Sequence, residues 1–248
     1  MPTVPDNLAG RIDRDGFAAI PGVLGGREVE SLIGAVDRAE AGRLEDPASI
    51  RRGASVYGLR DLLGRVPEVR SLAASPGIRS LVEQVLGPGA FAVRGLWFDK
   101  TAGANWNLPW HRDLTIAARA RVDAPGFSCW TVKAGIPHAL APPDVLEGML
   151  TVRIHLDDAG PDNGPLRVLP GSHRLDGREP AEVASWRDKV RPVDCLVDRG
   201  GAVLMRPLLV HASNSARSPH HRRVVHLEYA SGPLPGGVEW YDEVRPGP

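Results

Sequence analysis

Trp110-His111-Arg112-Asp113 sets an imidazole and a carboxylate two positions apart. In an extended segment, residues i and i+2 point the same way, so His111 and Asp113 can offer a nitrogen and an oxygen to one ion while Arg112 points elsewhere. A lone His-x-Asp arises often by chance, and a third candidate changes its meaning. His211 follows the apolar Leu208-Leu209-Val210, expected as a strand, and opens a polar stretch. Two His and one carboxylate on one face of an ion, with the other positions open, form the facial triad of non-haem Fe(II) oxygenases. The same donors also suit zinc in a hydrolase.

Such distant ligands need a scaffold that returns the chain to one place. Helical periodicity is confined mostly to the first third. Val29, Leu32, Ile33, Val36 and Ala39 predict an amphipathic helix over roughly 27–42, and Ser75, Pro76 and Gly87 bracket a second one over 76–86. From about residue 90 the chain becomes short apolar runs bounded by Gly, Pro, Asn and Asp, which is the texture of strands and turns. Strands are expected at Ala90–Lys100, Met149–Asp157, Leu166–Leu169, Val193–Val197, Ala202–Met205, Leu208–Ala212 and Val224–Ala230. A short helix is expected over Pro180–Lys189, with Glu179 and Glu182 near its start.

The expected fold is mainly β with N-terminal helices, built on a double-stranded β-helix of the jelly-roll or cupin-like kind. One domain is expected over 1–248: a helical layer over about 1–89, a core over about 90–230 with an insertion over about 114–148, and a tail over 231–248. Strand 149–156 alternates Leu150, Val152, Ile154 and Leu156 with Thr151, Arg153 and His155, so in a jelly roll its polar face can line a ligand cavity.

Composition narrows the partners. Thirty basic residues balance 30 acidic ones, which argues against nucleic acid, whose binders show a strongly basic face. Cys129 and Cys195 are too few for a disulfide framework, have no zinc-finger spacing, and read as small buried apolar residues. No apolar run is long enough to cross a membrane, and the opening residues lack the basic and apolar regions of a signal peptide, which predicts a cytoplasmic protein. The 28 glycines and 23 prolines are spread along the chain, as many turns between short strands require.

Taken together, Trp110-His111-Arg112-Asp113, the turn Asp162-Asn163-Gly164-Pro165-Leu166 leading into Leu169-Pro170-Gly171-Ser172-His173, and His211-Ala212-Ser213-Asn214-Ser215 followed by Arg222-Arg223 resemble the phytanoyl-CoA dioxygenase family. Asp15-Gly16-Phe17 and Ile20-Pro21-Gly22-Val23-Leu24 resemble that family's opening, so the likeness runs from about residue 13 to 230.

The resemblance implies an Fe(II)- and 2-oxoglutarate-dependent dioxygenase using O2, with His111, Asp113 and His211 as iron ligands. It places the family's cosubstrate-binding arginine, eleven residues beyond the distal His, on Arg222. A guanidinium fork matches a carboxylate, and neighbouring strand residues face opposite ways, so only one of Arg222 and Arg223 can enter the barrel. Ser213 resembles a family hydroxyl that also touches the cosubstrate. Thr151, Arg153 and Lys100 are expected to support it. The insertion is expected as a long irregular loop of the kind that often serves as a lid, and it supplies Trp130, Lys133 and His138 as substrate-side candidates, with His155 beside them. His173 reads as a structural loop histidine.

The implied reaction is hydroxylation of a small polar or anionic molecule with release of succinate and CO2. Asp113, where related halogenases carry Gly or Ala, favours that outcome over halogenation. Desaturation, cyclisation and epimerisation use the same cofactors. A metal-dependent hydrolase or isomerase on a cupin-like barrel is a second class, which Arg222 separates from the oxygenase, and a binding barrel without catalysis is a third, against which the intact set of His111, Asp113, His211 and Arg222 argues. Substrate identity and oligomeric state stay open.

Overall fold

The structure is a computed structural model that describes residues 7–41, 46–53, 55–175 and 180–245. Its largest sheet has seven strands in the order β1-β12-β9-β14-β4-β3-β2. These are β1 (Phe17–Ile20), β2 (Ser49–Arg52), β3 (Ser55–Leu59), β4 (Phe91–Asp99), β9 (Met149–His155), β12 (Ala202–Met205) and β14 (Arg223–Ala230). A second sheet runs β11-β10-β13-β5, formed by β5 (Leu108–His111), β10 (Leu166–Val168), β11 (Val193–Cys195) and β13 (His211–Ser213). A third, β6-β8-β7, is formed by β6 (Thr115–Ala117), β7 (Ser128–Lys133) and β8 (Ile136–Leu140). All pairings are antiparallel.

The central strands of the seven-stranded sheet are buried on both faces, and they divide their side chains between two environments. Leu150, Val152 and Ile154 of β9 and Leu156 just past it, with Val225, Leu227 and Tyr229 of β14, face the helices α2 (Gly26–Glu40), α4 (Pro67–Ala73) and α5 (Pro76–Leu86). Each such side chain contributes roughly 1.5–3 kcal/mol by leaving water. The opposite face is the inside of the jelly roll. There Phe17, Val203 and Met205 meet Leu166, Val168 and Cys195 of the second sheet.

Helix α2 begins where Glu28 accepts a hydrogen bond from the backbone N–H of Gly25 at 2.8 Å, which satisfies a free donor and sets an anion at the positive helix end. Helix α5 occupies the expected 76–86 span, but the Ser75 side chain makes no capping bond. Helices α1 (Leu8–Asp15), α3 (Leu62–Arg65), α6 (Pro143–Glu147) and α7 (Pro180–Lys189) complete the set among the described residues. Glu179 lies outside the described residues, and nothing is described of the Glu182 side chain. No helix among the described residues is long and apolar enough to cross a membrane.

Four expectations need correction. The first 89 residues are not purely helical, because β1, β2 and β3 join the large sheet. The insertion is no irregular loop: it folds as the three-stranded sheet and α6, over a separate apolar cluster with Ile116, Phe127, Leu146 and Trp240. Leu208–Val210 forms a buried turn and not a strand, and His211 opens β13. Cys129 is exposed rather than buried, at a backbone φ of 51° in the irregular part of β7.

Candidate metal centre

Strands β5 and β13 pair so that His111 stands directly across from His211. Their rings lie 4.2 Å apart, centroid to centroid. Each Nδ1–H donates at 2.8 Å to a carbonyl two residues back, Pro109 for His111 and Leu209 for His211. These bonds fix the tautomer and leave both Nε2 atoms free to bind an ion, the role that outer partners of metal-binding histidines commonly play. The Nε2 atoms lie 3.9 and 3.6 Å from the two oxygens of Asp113. One atom from each of the three residues falls within 4.8 Å of the others, so this donor set can close around one small cation.

Asp113 is held in place by its backbone N–H, which donates to Pro207 at 3.0 Å. Burial would raise its carboxyl, but the imidazoles of His211, His226 and His111 and the Arg94 guanidinium outweigh that and bring it to about 2. Burial pushes His211 down to about 4 even though Asp113 pulls the other way. An ionised carboxylate and a neutral imidazole are the states a divalent cation requires. The turn residues work at one remove: the Ser172 hydroxyl accepts from Val210 N–H at 2.9 Å, and its carbonyl accepts from Arg112 at 3.0 Å.

The triad opens into a cavity of about 110 Å³ inside the jelly roll, whose lining includes Leu96, Phe98, Trp106, Arg153, Ser213 and Arg222. Its inner end is rich in positive charge. Arg222 is 3% exposed and Lys100 is fully buried, with Arg153 beside them. Lys100 donates to the Ser213 hydroxyl at 2.8 Å and to the Asn214 carbonyl, and it lies over the Trp106 ring. Burial, then Arg222 and Arg153, lower Lys100 to about 7. Burial and Arg153 lower Arg222 to about 9, although Asp99 opposes them.

Arg222 and Ser213 both donate to the carbonyl of Gly164. Gly164 has φ 67°, and a Cβ there would stand 2.4 Å from the Asn214 carbonyl, so only glycine permits this approach. Arg223 faces the other way and grips Asp157 with two side-chain bonds of 2.8 and 2.7 Å.

Further along β4, the interior looks different. Glu228 pairs with Arg94, the His226 Nε2–H donates to Glu228 at 3.2 Å, and Arg153 donates to His226 Nδ1 at 2.7 Å. This chain runs along the inner face of three adjacent strands, because Glu228 registers with Arg94 on β4, and His226 with Arg153 on β9.

Of the other residues picked out in the sequence, Thr151 is fully buried, does not line the cavity, and has a hydroxyl without a partner. His155 has two unpartnered ring nitrogens and lies close to Arg153 and Arg222, at the cation-rich end and not beside the insertion's residues. Trp130 packs against the insertion's apolar cluster and does not reach the cavity. Lys133 and His138 are also absent from its lining, yet both sense Arg94 and Glu228 electrostatically. His173 donates to the Asp13 carbonyl at 3.0 Å. Sequence reasoning missed Arg94, His226 and Glu228. Their signal was a charged residue in the apolar run 91–98 and polar residues at alternate positions of 224–230.

Residues 12–224 match the family model for phytanoyl-CoA dioxygenase. The chain is 26% identical over 176 residues to an ectoine dioxygenase of Bordetella bronchiseptica, covering 65% of this chain and 47% of that protein. It is also 26% identical over 253 residues to an L-proline trans-4-hydroxylase of Streptomyces griseoviridis, covering 88% and 84%. The fold matches EctD from S. alaskensis with bound Fe at a TM-score of 0.72 and 20% identity, covering 94% of this chain and 79% of that one. The chain spans about half the length of the ectoine dioxygenases it matches.

Proposed function

The chain belongs to the phytanoyl-CoA dioxygenase family, and from that premise we propose that it is an Fe(II)- and 2-oxoglutarate-dependent dioxygenase hydroxylating a C–H bond of a small polar or anionic molecule, with release of succinate and CO2. The observation that carries this reading is one cavity holding both parts of the machinery. His111, Asp113 and His211 converge at its mouth, and Arg222 and Ser213 line its inner end, with Lys100 bonded behind Ser213. The relatives named above support a small-molecule substrate, since they are named for ectoine and proline. A cytoplasmic location is part of the proposal, because Fe(II) and 2-oxoglutarate are available there.

When bound, iron and 2-oxoglutarate supply the O2-dependent oxidation of an otherwise unreactive C–H bond. The chain's own part is positional. His111, Asp113 and His211 hold one face of the ion and leave the other positions open. Arg222 meets the distal carboxylate of the cosubstrate, and a hydrogen bond between charged groups contributes about 1.5–3 kcal/mol. Lys100, bonded to the Ser213 hydroxyl, adds its own charge beside that carboxylate. Leu96, Phe98 and Trp106 line the remaining wall and keep water from the reacting centre.

The test is anaerobic reconstitution with Fe(II) and 2-oxoglutarate, followed by O2 and measurement of succinate. Wild type is expected to release succinate and His111→Ala to release none above background. Equal succinate from both, or no 2-oxoglutarate binding by the iron-loaded wild type, contradicts the proposal.

A further inference from the structure

Arg222 reaches the barrel interior from an irregular stretch of chain. Between Ser213, which ends β13, and Arg223, which starts β14, the chain forms no helix or strand. The guanidinium bonds the Gly164 carbonyl. The backbone beneath it is held by two consecutive residues, Asp99 at the end of β4 and Lys100 after it. Asp99 Oδ1 accepts from the Arg222 N–H at 3.0 Å, and the Lys100 N–H donates to the Arg222 carbonyl at 3.4 Å.

Two carboxylates divide the work where this stretch becomes β14. Asp157, just past β9, accepts from the Arg223 N–H at 2.8 Å and grips the Arg223 guanidinium as well. Asp99 accepts from the Arg222 N–H, but its other oxygen takes the His221 ring at 2.6 Å. Adjacent N–H groups are thus tied to aspartates carried by the two strands that flank β14. With both backbone positions fixed, strand alternation turns Arg223 outward and Arg222 into the barrel.

Asp99 is only 4% exposed and is bonded to no Lys or Arg among the described residues. Burial pushes its carboxyl up, against the pull of His221, the Arg222 N–H and Arg223. A buried carboxylate is costly unless hydrogen bonds offset its lost hydration, and the bonds that do so here lead to Arg222 and its neighbour. Asp99 shares the outward face of β4 with Trp97, whereas Arg94, Leu96 and Phe98 line the cavity. It therefore touches neither the metal centre nor the space for a ligand.

We propose that Asp99 is a positioning residue for the cosubstrate: by holding the Arg222 backbone at the end of β4, it sets the guanidinium where the distal carboxylate of 2-oxoglutarate meets it. This rests on the oxygenase reading above.

The test is an anaerobic titration of 2-oxoglutarate into Fe(II)-loaded full-length protein, with Fe(II) affinity measured separately as the report of a folded metal centre. Asp99→Ala is expected to bind 2-oxoglutarate more weakly by about fivefold or more, as the loss of one hydrogen bond implies, with Fe(II) affinity unchanged. Asp99→Asn keeps an oxygen for the Arg222 N–H and is expected to stay within about threefold of wild type. In an Arg222→Ala background, Asp99→Ala is expected to add less than about twofold, because nothing is left to position. Wild-type affinity in Asp99→Ala, an Asn variant as weak as the Ala variant, or the full additional loss in the Arg222→Ala background overturns the proposal. If Asp99→Ala does not load iron, Asp99→Ser, polar but too short to reach the Arg222 N–H, is judged by the same results. Failure of both to load iron also overturns it, since Asp99 would then serve the fold at large and not Arg222. Failure of 2-oxoglutarate to bind the iron-loaded wild type falls on the oxygenase reading instead.

Discussion

The two ends of the barrel interior use buried charge in opposite ways. At the inner end, Arg222 and Lys100 find carbonyls and a hydroxyl, and among the described residues no salt bridge to a carboxylate is made by either or by Arg153. Further along β4, Arg94 is matched by Glu228, and His226 connects that pair to Arg153 in a chain with consistent donor and acceptor roles. Unmatched buried cations cost stability until an anion arrives, whereas a matched pair offsets much of its own desolvation and costs most when one partner is removed. On the proposed reading, the first end receives a ligand and the second holds its shape beside the candidate metal centre.

The largest effect on stability is expected from breaking the matched end. Glu228→Ala leaves Arg94 without its acid and should cost about 3 kcal/mol in chemical denaturation, the lower part of the range for such losses because cavity water reaches the guanidinium. A cost under about 1 kcal/mol would mean that the pair is not what holds this end.

A smaller effect separates the ends by pH. Lys100, behind Ser213, is lowered to about 7 by burial and then by Arg222 and Arg153. Its charged form favours a carboxylate and is present below that value, so 2-oxoglutarate affinity of the iron-loaded protein should fall as pH rises from about 7 to 9. Lys100→Met should flatten that slope, and an unchanged slope would remove Lys100 from the site. The smallest effect is expected outside the barrel. Arg223→Ala removes a partly exposed ion pair with Asp157, and denaturation should register a loss of about 1 kcal/mol or less.

How much of this was legible beforehand follows the same division. His111, Asp113 and His211 could be chosen because metal ligation needs particular residue types, and the i, i+2 rule placed two of them on one face. The choice of Arg222 over Arg223 came from the family resemblance, while strand alternation required that the two part. The Arg94–Glu228 pair was hidden because it joins β4 to β14, 134 residues apart, and a charged residue in an apolar strand carries no label for its partner. The insertion was misread because β7 is largely exposed and interrupted at Cys129, so it lacks the apolar alternation that marks a strand. Leu208–Val210 misled in the other direction: three apolar residues in a row resemble a strand, yet here they fill a buried turn.

The most direct test of the unmatched end as the cosubstrate's anchor is an anaerobic titration of 2-oxoglutarate into the Fe(II)-loaded protein, comparing wild type, Arg222→Ala and Arg223→Ala. Loss of one bond between charged groups, about 1.5–3 kcal/mol, predicts at least a tenfold weaker affinity for Arg222→Ala, with Arg223→Ala within about twofold of wild type. Wild-type affinity in Arg222→Ala, or a greater loss in Arg223→Ala, would contradict the account.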